Sequence, residues 1–198
     1  WLMINDLKAV AGANGWEVIF MKGPLGGDKT GTDFDGTGPS TTDKLYPISA
    51  PALYIGTKKN EFAVRMNVFG KPDTTTTTTT ETTEDIKIKN IPLKKWINVM
   101  IRCEQNMLDV LINGMVKKSR RLKTVPKQNY YDVEVTPEKP YEGFTSNLRY
   151  WNYSLGTDEI HNLISKGPSS ANLDKEQTMD GKNARYFSTK WFFGDDAQ

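Results

Sequence analysis

The run Trp96 to Asn113, WINVMIRCEQNMLDVLIN, leaves this chain few options for folding. Ile97, Val99, Ile101 and Cys103 alternate with Asn98, Met100 and Arg102, the period of two that belongs to a strand with one face on a core. A polar break at Glu104 to Asn106 interrupts the pattern, and Leu108, Val110 and Ile112 then resume it around Asp109. It stops at Asn113-Gly114, a pair that tolerates the positive φ angles of a two-residue hairpin turn. The run therefore predicts an antiparallel meander. A two-residue turn would set Ile112 opposite Met115 and Leu111 opposite Val116. It would also set Asp109 opposite Lys118, as a cross-strand charge pair of about 0.2 to 1 kcal/mol.

The remaining apolar runs follow the same rhythm. Trp1 to Asp6 and Trp16 to Lys22 read as strands around a glycine-rich turn, and a Gly-, Asp-, Thr- and Pro-rich tract from Gly23 to Pro51 reads as a long loop. Ala52 to Gly56, Glu61 to Gly70 and Glu84 to Asn90 are again strand-like, and Thr74 to Thr80 is a homopolymer with no apolar face, expected in an exposed loop. Tyr131 to Thr136 predicts a short strand, Gly143 to Tyr153 the longest aromatic one, and Ala184 to Gly194 a terminal strand. One helix is expected after Thr157 as N-cap, with Asp158 and Glu159 in its first turn, Gly167-Pro168 at its end, and Ile160, Leu163 and Ile164 docking it on the edge of the sandwich. Many strands, one helix and no βαβ rhythm predict two packed antiparallel sheets in a single domain over residues 1–198. The opening WLMIND reads as a strand already under way, so a segment before Trp1 is expected.

Charge narrows the function classes. The 26 basic and 24 acidic residues give a formal charge of +2, so charge alone predicts neither a nucleic acid nor a membrane surface as partner. No window approaches the ~18 to 20 apolar residues of a membrane span. A single cysteine, Cys103, excludes an internal disulfide and reads as a small hydrophobe.

A tryptophan opening a strand, a short turn, a strand ending in LDVLING and a basic return strand together resemble the laminin-G-like, concanavalin A-like jelly roll. Gly143-Phe144, the run Ser146 to Tyr153, Leu155 and Glu159-Ile160 resemble its closing strand and short helix, in the form found in proteins of large double-stranded DNA viruses. The resemblance covers Trp16 to Gly167 loosely and Trp96 to Gly167 well. It implies an all-β, two-sheet antiparallel jelly-roll sandwich with one short helix near the C-terminus.

Glucanases share that sandwich and need two carboxylates on one face, as in E-x-D-x-x-E, but no such run occurs here. His161, the single histidine, sits on the expected helix, which disfavours a catalytic triad. No enzyme and no cofactor are therefore expected. Asp28, Asp33 and Asp35 in a glycine-rich loop could offer oxygen ligands to calcium, with a solvated loop as the simpler reading. Lys117, Lys118, Arg120 and Arg121 form a basic segment that is either a guard on an edge strand or a contact for an acidic partner.

Two functions stay open. One is a virion-associated structural or minor capsid component that contacts other capsid proteins. The other is a lectin-like module at an extracellular or host-cell surface, with Trp16, Tyr46, Tyr54, Tyr130 and Tyr141 as candidates to stack on sugars.

Overall fold

The computed structural model describes residues 1–7, 15–23, 49–57, 59–70, 82–137 and 141–169. Trp1–Gly167 form one compact unit, and of the second unit, Pro168–Gln198, only Pro168 and Ser169 lie among the described residues. Most of the tract from Gly23 to Pro51, the threonine run and the expected strand Ala184 to Gly194 therefore fall outside them.

The first unit is an all-β antiparallel sandwich with one helix. Its strands are β1 (Leu2–Asp6), β2 (Trp16–Lys22), β3 (Ala52–Gly56), β4 (Glu61–Val68), β5 (Thr82–Lys89), β6 (Trp96–Ile97), β7 (Val99–Glu104), β8 (Met107–Ile112), β9 (Met115–Arg121), β10 (Val133–Val135) and β11 (Glu142–Thr145), and its helix is α1 (Thr157–Ser165). One layer has the order β10-β2-β3-β4-β5. The other is made of β11-β1-β6 and β7-β8-β9. These two sheets are joined through Asn98, whose backbone N–H donates to Asn113 Oδ1 at 2.8 Å and whose carbonyl accepts the Asn113 N–H at 2.9 Å. The ribbon Trp96 to Glu104 thus pairs with β1 along its first part and with β8 along its second.

Period-two alternation places the core between the layers. Ile4 from β1, Ile19 from β2, Leu53 from β3, Phe62 and Val64 from β4, Ile86 and Ile88 from β5, and Leu108 and Val110 from β8 share one buried cluster, against which Val99, Ile101, Cys103 and Ile112 pack. Each such side chain contributes about 1.5 to 3 kcal/mol. β4 is buried on both faces, and its outer face carries Arg65, 1 % exposed. Arg65 is cross-strand to Asp85 and donates to it twice, at 2.8 and 2.9 Å, so the buried guanidinium is paired in the fork geometry that makes its burial tolerable.

The hairpin after β8 corrects the predicted register. Asn113 and Gly114 take φ of 51° and 79°, as the two-residue turn requires, and Ile112 faces Met115 and Leu111 faces Val116. A β-bulge at Lys117 then intervenes, so Val110 faces Lys118 and Asp109 faces Ser119. The expected Asp109–Lys118 pair does not form. Asp109 instead accepts hydrogen bonds from the Ser119 hydroxyl and, at 2.7 Å, from Arg102 on β7.

The C-terminal part of the unit is corrected twice. The aromatic run pairs with β1 only over Glu142–Thr145, and residues 146–155 follow without regular structure, leaving Leu148, Tyr150 and Tyr153 exposed. Helix α1 is capped by Gly156 rather than Thr157, with the Glu159 carboxylate accepting the Gly156 N–H at 2.9 Å. Ile160, Leu163 and Ile164 pack with Leu111, Met100, Trp151 and Leu155, so the helix lies on the outer face of β7-β8-β9 and not on an edge. It approaches the hairpin so closely that a Cβ on Gly114 would stand 2.5 Å from Ile164 Cδ1.

Candidate functional site: a cleft along one strand edge

The two sides of the sandwich are finished differently. On the β5/β9 side the bulge at Lys117 re-aims the basic segment, because Lys118 and Arg120 now share the inward parity of Val110 and Leu108. Lys118 Nζ donates to the Lys87 carbonyl at 3.1 Å, and Arg120 donates to the Asp85 carbonyl at 2.6 Å. Arg120 Nε also lies 3.1 Å from the buried carboxylate of Glu84, whose other oxygen accepts the Lys123 backbone N–H. Two of the four residues expected to contact a partner are therefore struts between the layers. Lys118 is exposed even as it makes this contact, and so are Lys117, at the bulge, and Arg121, opposite Met107.

On the other side the layers part. A cleft of about 760 Å³ opens there, floored by apolar side chains that include Ile19, Leu53, Met66, Val99, Ile101, Val133 and Val135. Its polar rim carries Lys22, Arg102, Lys127, Arg149 and Lys166 against a single carboxylate, Glu104, among the described residues. Two buried acceptors of the lining, Asn98 Oδ1 and Asn129 Oδ1, meet no hydrogen-bond donor among the described residues, and Asn98 is only 8 % exposed. An unpaired buried acceptor costs about 1 to 3 kcal/mol unless a donor arrives.

The lining shows how the cleft runs. Every residue from Asn98 to Gln105 borders it. A cleft over one face of a strand would meet every second residue, so this one follows the edge of β7. The hairpin fixes which backbone groups lie on that edge. The two-residue turn Gln105-Asn106 makes Glu104 and Met107 a hydrogen-bonded pair, and alternation makes Arg102–Asp109 and Met100–Leu111 bonded pairs as well. The N–H and C=O groups of Val99, Ile101 and Cys103 consequently point away from β8, along the cleft. β1 pairs with β6 at Leu2–Ile97 and Met3–Trp96, and no described residue pairs with β7 beyond that point on this side.

Titratable groups report the same environment. Burial pushes the Cys103 thiol above its ordinary pKa, reinforced by the nearby Asp109 charge. The Trp1 nitrogen donates to the Ser146 carbonyl at 2.7 Å. For Asp109 burial raises the pKa, but the hydrogen bonds from Ser119 and Arg102 and the Arg102 charge together bring it below the ordinary carboxylate value.

The aromatic candidates for sugar stacking do not converge. Tyr54 is 1 % exposed within a cluster with Val18, Met21, Ala52 and Ala63, and burial of Tyr141 raises its phenol pKa, partly offset by the hydrogen bond with Thr145. Neither ring is available to a ligand. Trp16 is half-buried with the Lys87 ammonium 5.7 Å from its ring centroid, and Tyr130 is fully in solvent. Tyr46, Asp28, Asp33 and Asp35 lie outside the described residues, and among the described ones no three His, Cys, Asp or Glu side chains are grouped to hold a metal ion. His161 is exposed on α1.

The cleft escaped the sequence reading because its walls come from distant segments. One signal was present: β7 carries no lysine, proline or bulge, the usual guards of an edge.

No family model matches the chain, and no curated protein does. Among solved structures, the crystal structure of an S-layer domain-containing protein (residues 221–444) from Clostridium thermocellum ATCC 27405 aligns with 16 % identity over 58 % of this chain and 55 % of that one, at a TM-score of 0.29. That is too low to carry weight for fold or function. Among the described residues, no helix is long and apolar enough to cross a membrane.

Proposed function

We propose that this chain is a non-catalytic interaction module, a β-sandwich that works by holding another macromolecule in the cleft beside β7. The observation that carries the reading is the cleft itself: about 760 Å³, apolar along its floor, cationic at its rim and bordered by one described carboxylate. Glycoside hydrolysis needs two carboxyl groups some 5 to 9.5 Å apart, and Glu104 has no acidic companion among the described lining residues. Apolar floor with polar rim is instead the composition of a binding surface. The resemblance of Ser146 to Gly167 to the jelly-roll domains of large DNA viruses supports placing the module in a virus particle, as a structural or minor capsid component touching neighbouring capsid proteins.

The test uses particles assembled with Val135→Arg. Val135 is 43 % exposed at the cleft wall, so the substitution blocks the cleft and spares the core. Stoichiometric incorporation of the parent protein and exclusion of the variant are expected. Equal incorporation would overturn the reading.

A lectin role has one observation in its favour, the aromatic rings of Tyr150, Trp151 and Tyr153 along the same cleft. Selective binding on a glycan array, lost in Tyr150→Ala and Tyr153→Ala, would establish it in place of protein contact.

A further inference from the structure

We infer that the basic face of β9, continued to Lys123, binds a single chain of a sulfated polysaccharide laid along the strand. The site lies on the β5/β9 side of the sandwich and depends neither on the cleft nor on the contact-site reading.

Charge pairing on this side is one for one. Each carboxylate of β5 and β8 is matched to an arginine: Asp85 to Arg65 at 2.8 Å, Glu84 to Arg120 at 3.1 Å and Asp109 to Arg102 at 2.7 Å. Nothing acidic is left for Lys117, Lys118, Arg121 and Lys123, none of which has a carboxylate within ion-pair distance among the described residues. All four are exposed. Edge protection explains only part of the set. Lys118 and Arg120 already reach across to the β5 carbonyls, so the seam is closed without Lys117, Arg121 and Lys123. Uncompensated like charges along one short stretch repel one another, and an anionic ligand relieves that repulsion.

The surroundings select the class of anion. From Lys117 to Lys123 the exposed side chains are cationic apart from Ser119, and the one apolar residue, Leu122, is 2 % exposed. Interfaces with folded proteins are anchored by aromatic or aliphatic side chains, and single-stranded nucleic acids by bases stacked on exposed rings, so the stretch offers a hold to neither. A nucleic-acid duplex spreads its phosphates across grooves about 6 and 12 Å wide. The basic face is narrower, because across the sheet from Arg121 the next strands present Met107 and then the exposed carboxylate of Glu104. A chain one strand wide meets the cations and avoids Glu104. At about 3.4 Å per residue the stretch spans roughly 20 Å, room for an oligosaccharide whose sulfates meet ammonium and guanidinium groups.

Titration of the full chain with a heparin decasaccharide tests this. Binding is expected at about 50 mM salt, weakening ~50-fold at about 200 mM if four cations displace counterions as they do on a flexible polyanion. Lys117→Gln, Arg121→Gln and Lys123→Gln combined should weaken it at least ~10-fold. The urea midpoint should hold, because none of these three side chains makes a hydrogen bond or ion pair among the described residues. Lys94→Gln with Lys95→Gln, an equally exposed pair outside β9, should leave binding unchanged. Hyaluronan, which carries carboxylates and no sulfate, should bind at least ~10-fold more weakly than the decasaccharide.

No binding at the lower salt would overturn the inference. Equal weakening by the Lys94 and Lys95 pair would also overturn it, since the chain would then be answering to net charge alone. Equal binding of hyaluronan would remove the sulfate from the assignment. Binding of polyglutamate or of a DNA duplex as tight as that of the decasaccharide would give the stretch to an acidic protein segment or to nucleic acid instead.

Discussion

The three-stranded sheet β7-β8-β9 has two outer strands, and they are finished in opposite ways. β9 is basic, bulged at Lys117, and fastened to β5 through Lys118 and Arg120. β7 is mixed apolar and polar with no bulge, and no described strand pairs with its outer edge. An unguarded edge is a template for any passing strand, and proteins in general avoid leaving one open. One sheet that invests in guarding one edge and leaves the other bare shows that the guard is local, set by side chains and one inserted residue and not by the fold as a whole.

The sharpest way to break the contrast is to replace Lys118 and Arg120 together with alanine. Both side chains that reach β5 are then removed while the register of β9 is kept. Loss of the ties to β5 should lower stability by about 3 kcal/mol, read as the urea midpoint at constant slope. An unchanged midpoint would mean that Lys118 and Arg120 fasten nothing. Glu84→Ala tests the same side more gently. Glu84 is 4 % exposed, accepts the Lys123 N–H and faces Arg120, so its removal should cost about 1 to 3 kcal/mol. Glu104→Ala, at the open edge, should cost under ~0.5 kcal/mol because its side chain is exposed. Equal losses from the two substitutions would erase the difference between the sides. Between those two falls Gly114→Ala at the hairpin. A methyl there meets Ile164 and occupies a left-handed conformation, at a cost of about 1 to 2 kcal/mol that should be recovered in part by Ile164→Val.

Much of the layer structure was legible in the alternation of Ile97, Val99, Ile101, Leu108, Val110 and Ile112, because period two and a buried face are local properties. The same holds for the Asn113-Gly114 turn. The bulge was not legible. Met115 to Arg121 contains no glycine to mark an extra residue, and the gain from inserting one comes from Glu84 and the Asp85 carbonyl, more than thirty residues earlier in the chain. The basic segment was thus visible as a charge string, while its conversion into inter-layer struts depended on tertiary geometry. The cleft was hidden for a related reason. Gly143 to Tyr153 has the composition of a strand, yet beyond Thr145 it leaves the sheet, and its residues 147–155 line the cleft instead. Local propensity marks which residues can extend and is silent about which lane they take.

The smallest expected effect concerns Asp109, which sits between the two edges and ties them together, accepting from Arg102 on β7 and from Ser119 on β9. Its folded pKa is lowered: burial opposes ionisation, and the two hydrogen bonds with the Arg102 charge more than offset it. A carboxylate whose folded pKa lies below its unfolded value contributes stability that is fully present above the unfolded value, about 3.9, and is lost as pH falls through the folded one. Asp109→Asn should therefore be less stable than the parent at pH 7, and the gap between their urea midpoints should narrow steadily below about pH 4. Between pH 5 and 8 the gap should be flat, since Asp109 stays ionised throughout. If the gap instead held constant down to pH 2, the carboxylate would be acting as a shape and not as a charge. If the gap closes as expected, the Arg102 side chain is released on protonation of Asp109, and its tie between β7 and β8 is lost.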